Sequence, residues 1–113
     1  MDDKKRFMDN AKFPWLIIIT KRKNFRQILD LNKRDQIKLM EEIDYWSKVM
    51  KKTFGAFNLN VEKIGNIIPQ LHIHIIARNK KDTSWPLSVW VVKGKPYKKS
   101  HLSETIKKIQ KLI

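Results

Sequence analysis

Gly65-Asn66-Ile67-Ile68-Pro69-Gln70-Leu71-His72-Ile73-His74-Ile75-Ile76-Ala77-Arg78 is the stretch that decides how this chain folds. From Gln70 to Ile76, hydrogen-bonding side chains alternate with large aliphatics, the period of a half-buried β-strand. Such a strand shows Gln70, His72 and His74 on one face and Leu71, Ile73 and Ile75 on the other. The apolar face belongs on a core, which leaves a short row of imidazoles and an amide facing a cleft. The chain has only 3 histidines, so two of them in phase with Gln70 read as a built site rather than as ordinary strand residues. Upstream, Pro69 drives its predecessor into extended geometry and Gly65-Asn66 marks a turn.

Outward from this strand, Trp15–Thr20 reads as another, β-branched and flanked by Pro14 and the basic Lys21-Arg22-Lys23. A helix is expected from Asn32, which serves as N-cap with Asp35 in the first turn. Ile37, Met40, Ile43, Trp46, Met50 and Phe54 are taken as its core stripe, and Gly55 as its stop. Phe57–Val61 reads as a further strand. Beyond the apolar Val89–Val92, Ser103 is expected to cap a short last helix with Ile106, Ile109 and Ile113 on one side. There are no internal repeats and no linker-like segments. Strand, helix, strand, strand with short connections predicts one α+β domain over residues 1–113, built on an antiparallel sheet.

At 113 residues the chain is long enough for one core and too short for two. Without cysteine it has no disulfide framework and no thiolate chemistry. The apolar run Trp15–Ile19 is far below the roughly 20 residues that a membrane-spanning helix takes. These features predict a cytoplasmic domain with no membrane partner. The net charge of +14 has two readings. One is affinity for polyanions, either nucleotides or weak, non-specific binding of nucleic acid. The other, given more weight, is a Lys-rich composition spread over the surface. No basic stripe is interleaved with aromatics in the way that single-strand binding requires.

Two chemistries suit His72 and His74. A His-x-His pair can chelate a metal ion, but further ligands are scarce: His101 is isolated, and no acid follows the pair before Asp82. The alternative is chemistry at phosphorus, where a neutral imidazole is a good nucleophile near neutral pH. One ring nitrogen attacks while the other keeps its proton, so a backbone carbonyl facing Nδ1–H would fix the reactive tautomer. Gln70 and His74 are placed to hold the phosphoryl oxygens. On residue chemistry alone the two readings compete.

The string from Gly65 to Arg78, with Trp85-Pro86 and Trp90 downstream, resembles the histidine-triad (HIT) family of nucleotide hydrolases and transferases. The family signature is His-φ-His-φ-His-φ-φ, with φ apolar. Gln70 stands at the first histidine, and His72 and His74 at the second and third, as in a bacterial branch carrying Gln-Leu-His-φ-His. The resemblance extends to Arg6-Phe7-Met8-Asp9-Asn10 through Phe13-Pro14-Trp15, to the long helix, and to Phe57-Asn58-Leu59-Asn60-Val61. It implies that His72 attacks the α-phosphorus of a nucleotide conjugate, a phosphoramidate or a dinucleoside polyphosphate. A nucleotidyl-histidine forms, and water then releases a nucleoside monophosphate. It further implies that His74 and Gln70 contact phosphoryl oxygens, Asp9 the ribose hydroxyls, and Asn60 and Asn66 the phosphate site. No metal or other cofactor is implied, and the expected assembly is a homodimer through the long helix and a neighbouring strand. Relative to typical members the chain starts late, which predicts a base pocket that is open, unselective or completed by the other subunit. Trp85 and Trp90 are expected to pack or to meet a partner subunit, and His101 to lie on the surface. The alternative function is a non-catalytic nucleotide- or nucleic-acid-binding module of the same fold.

Overall fold

The computed structural model describes residues 3–21 and 24–110. Arg22 and Lys23 of the expected basic cluster, and Ile113 of the expected helix face, lie outside the described residues. Four strands form one antiparallel sheet: β1 (Lys4–Phe7), β2 (Trp15–Ile19), β3 (Asn58–Glu62) and β4 (His72–Arg78), in the order β1-β2-β4-β3. Two helices, α1 (Lys33–Phe54) and α2 (Lys99–Gln110), complete the α+β fold. β1 is not visible as a hydrophobic pattern, because three of its four residues are charged; its pairing to β2 makes it a strand.

β4 runs between β2 and β3, with Ile17 opposite His74, Ile19 opposite His72 and Glu62 opposite His74. Directly opposed residues share a face. One face therefore carries Leu16, Ile18, Ile73, Ile75 and Ala77, which pack on Leu39, Val49 and Met50 of α1. Fully burying each large aliphatic there contributes about 1.5–3 kcal/mol. The other face carries Trp15, Ile17, Ile19, His72, His74, Ile76 and Arg78. It is not simply open to a cleft. Phe13, Trp15, Ile76 and Val89 form a second apolar cluster there, under the chain that follows β4.

α1 begins as expected. The Asn32 side chain accepts the Asp35 N–H at 2.8 Å, and Gly55 ends the helix with φ 57°. The expected core stripe holds in part: Met50 is buried and Ile43, Trp46 and Phe54 pack against the core, joined by Leu39 and Val49, whereas Ile37 and Met40 are exposed. Steps of three from residue 37 to 46 each turn about 300°, so that series walks around the helix instead of following one side. α2 starts at Lys99, four residues before the expected cap, so Ser103 lies inside it. Ile109 is buried and Ile106 half-buried, as its periodicity requires.

Candidate functional site

A cavity of about 550 Å³ opens on the histidine face, lined chiefly by Met8, Ile17, Ile19, Gln70, His72, His74 and Trp90 together with the Ile64–Ile68 turn. β4 delivers His72 and His74 side by side, ring centroids 5.1 Å apart and nearly perpendicular. His72 stands at the open end of the strand and is half-buried, whereas His74 is buried.

The His72 Nδ1 lies 2.6 Å from the backbone carbonyl of Gln70. A carbonyl only accepts, so in the neutral ring Nδ1 carries the proton and Nε2 the free lone pair. Gln70 precedes the strand by two residues, and its side-chain nitrogen donates to the Thr20 carbonyl at 2.6 Å. That contact fixes which end of the amide is NH2 and leaves its second N–H available. His74 sits in an aromatic box. The Trp15 indole N–H donates to its Nδ1 at 2.9 Å, and the Trp90 ring meets it edge-on at 5.4 Å. Burial, with His72 alongside, lowers the His74 pKa to about 4.

The lesser predicted positions separate. Asn66 lines the cavity. Asn60 shares the face, opposite Ile76, but is not part of the lining. Asp9 is exposed and accepts the Tyr97 N–H at 2.7 Å; its neighbour Met8 reaches the cavity while Asp9 does not. His101 is exposed on α2, its ring against Tyr97. Among the described residues, no three His, Cys, Asp or Glu side chains converge closely enough to hold a metal ion.

Trp90 packs, as expected, with its ring across Trp15 at 4.9 Å, and it also lines the cavity and donates to Glu62 Oε1 at 3.2 Å. Trp85 packs as well, edge-on to Phe57. Arg78 brings this segment into place. It is buried, pairs through Nε and Nη2 with Asp82, and donates to Ser84 Oγ and the Leu87 carbonyl. Trp15 was legible as a strand residue in phase with Ile17 and Ile19. Its contact with His74 depends on the β2–β4 register, which the local sequence does not state.

Comparison with known families and structures adds to this geometry. The HIT domain description matches residues 5–81. Among solved structures, a histidine triad protein from Bradyrhizobium japonicum is 33% identical, with a TM-score of 0.92 over 96% of this chain and 82% of its own. One from Sinorhizobium meliloti is 31% identical, with a TM-score of 0.93 over 98% and 83%. A third, from Marinobacter aquaeolei, is 33% identical, with a TM-score of 0.89 over 94% and 78%. A search of curated proteins finds no match. No helix among the described residues is long and apolar enough to cross a membrane.

Proposed function

Because the chain belongs to the HIT domain family, we propose that it is a nucleotidyl hydrolase or transferase of the branch with glutamine at the first triad position. It cleaves nucleoside phosphoramidates or dinucleoside polyphosphates at the α-phosphorus. The observation that carries this reading is the 2.6 Å contact of His72 Nδ1 with the Gln70 carbonyl, which leaves Nε2 as the nucleophile at the cavity. Nε2 attacks phosphorus and the bond to the leaving group breaks. His74, the second N–H of Gln70 and the Asn66 amide donate to the non-bridging oxygens as charge shifts onto them. Water then attacks the nucleotidyl-histidine, the P–N bond breaks, and a nucleoside monophosphate is released. The apolar walls Met8, Ile17 and Ile19 suit a base. The ribose role implied for Asp9 falls to a carboxylate outside the lining, with one oxygen already bound by Tyr97.

The assembly that fits this reading is a homodimer. α1 leaves Ile37, Met40 and Tyr45 exposed, and β3 is an edge strand whose own Val61 is exposed. Apolar groups at such positions are suited to a second copy.

The test is turnover of an adenosine phosphoramidate and of a diadenosine polyphosphate with EDTA present. His72→Ala is expected to lose AMP release by about 10⁴-fold or more while still binding AMP. Full activity in that variant removes the mechanism. AMP binding without turnover by the wild type leaves a nucleotide-binding module instead.

A further inference from the structure

Building on the nucleotidyl-transfer reading, we propose that Trp15 is a positioning residue that holds His74 as a neutral donor through Nε2. It follows that the site favours leaving groups that depart as stable anions over amines that must take up a proton.

An indole N–H only donates, so His74 Nδ1, 2.9 Å away, accepts and carries the lone pair. The hydrogen of the neutral ring is then on Nε2. Charging the ring would place a second hydrogen on Nδ1, donor against donor. Trp15 is 3% exposed, so water cannot relieve that clash. The groups facing His74 come from every side. His72 lies beside it on β4, Trp15 and Ile17 on β2, Glu62 opposite on β3, and Trp90 on the segment after β4. Of these only His72 and Glu62 carry ionisable side chains, and a Glu62 oxygen is bound by the Trp90 indole. The low pKa of His74, about 4, agrees with this geometry.

The leaving group follows from a census of acids. Among the described residues that line the cavity, His72 and His74 are the titratable ones. His72 is consumed as the nucleophile, and its Nδ1 proton is held by Gln70. His74 is neutral, and the Gln70 and Asn66 amides give hydrogen bonds but no protons. When Nε2 bonds to phosphorus and a P–O–P bridge breaks, the electron pair stays on a phosphate oxygen and no proton is needed. When a P–N bond breaks, the pair goes to an amine nitrogen that needs a proton the lining does not supply.

Imidazole ¹H–¹⁵N spectra of the wild type, titrated downward in pH, test the first half without any substitution. The expected result is a bare Nδ1 and a protonated Nε2 on His74, with titration far below the usual histidine range. A proton on Nδ1 overturns the proposal. In Trp15→Phe, which keeps a ring and removes the donor, the His74 pKa rises. There kcat falls about tenfold with little change in KM, less than the ~10²–10³ lost when a donor to developing charge is removed outright. An unchanged His74 pKa in folded Trp15→Phe also overturns it. For the second half, wild-type kcat/KM should be higher for the diadenosine polyphosphate than for the phosphoramidate. The reverse order refutes the leaving-group preference. No turnover of either, with His74 as described, refutes that preference and nucleotidyl transfer, but not the role of Trp15.

Discussion

Asp82→Ala is expected to remove about 3–5 kcal/mol of folding stability, because it strands the Arg78 guanidinium in the interior. The Arg78 side chain is 1% exposed and meets Asp82 at 2.8 and 3.0 Å. Removing one member of such a pair costs about 3–5 kcal/mol, since the remaining charge stays buried. Asp82 also accepts the N–H groups of Asn79, Ser84 and Trp85 at 3.1, 3.3 and 2.8 Å. Against a typical total of about 5–15 kcal/mol the loss is large. Asp82→Asn, which keeps the shape and one acceptor, should lose less, about 1.5–3 kcal/mol. Urea denaturation at constant m-value measures both. A loss below about 1 kcal/mol in Asp82→Ala would refute the claim that this pair anchors the segment carrying Trp90. The pH dependence has a definite sign. Burial alone would raise the Asp82 pKa, but the hydrogen bonds from Arg78 and the backbone outweigh it and the net shift is downward. A carboxyl depressed in the folded state gives stability above its unfolded pKa of about 3.9 and loses it as pH falls through the folded value. Wild type should therefore lose this contribution only in strong acid, and Asp82→Asn should lack that component.

Glu42 on α1 behaves oppositely. Burial, then the hydrogen bond and charge of Asp3, raise its pKa from 4.5 to about 7 against the opposing Lys5. A raised carboxyl favours folding fully below 4.5 and loses that contribution as pH rises through about 7. Melting temperatures from pH 5 to 8 should decline less in Glu42→Gln than in wild type, and parallel declines would remove this assignment. For the homodimer, sedimentation should report two chains in the wild type and one in Met40→Glu. A monomeric wild type at high concentration would eliminate the dimer.

How legible the molecule is depends on whether a feature is local. The period of two from Gln70 to Ile76 places both imidazoles on one face without further information, and Asn32 and Gly55 bound α1 by local hydrogen bonding and backbone geometry. The α1 core stripe is less legible because apolar residues lie on several sides of that helix, Ile37 and Met40 among the exposed ones. β1 carries almost no hydrophobic signal, so only its partner strand defines it. Trp90 is the clearest non-local case. Its position depends on Arg78 and Asp82, four residues apart, folding the segment back across the histidine face. Read in sequence, Asp82 is only the first acid after the histidines. In the structure it serves Arg78 and three backbone N–H groups instead of a metal ligand set.

The same distinction explains how a chain of net charge +14 can hold a cavity whose donors are neutral. Lys4 and Arg6 occupy the histidine face of β1, opposite Ile19 and Ile17 of the cavity wall, and both are exposed. Exposed cations act over roughly a Debye length, about 8 Å at physiological salt, and so raise the encounter rate of a polyanion. In the proposed reaction they would bind substrate and product phosphates almost alike, which by itself does not speed the chemical step. The donors inside differ in kind. His74, held by Trp15, and Gln70, held by Thr20, are fixed before any ligand arrives, so in the proposed reaction they would need no reorganisation as charge moves onto the phosphoryl oxygens. A cation in the place of His74 would grip a departing monophosphate as well as the transition state and slow its release. On the proposed nucleotidyl-transfer reading, a buried indole that keeps His74 uncharged would therefore favour turnover over retention of the product.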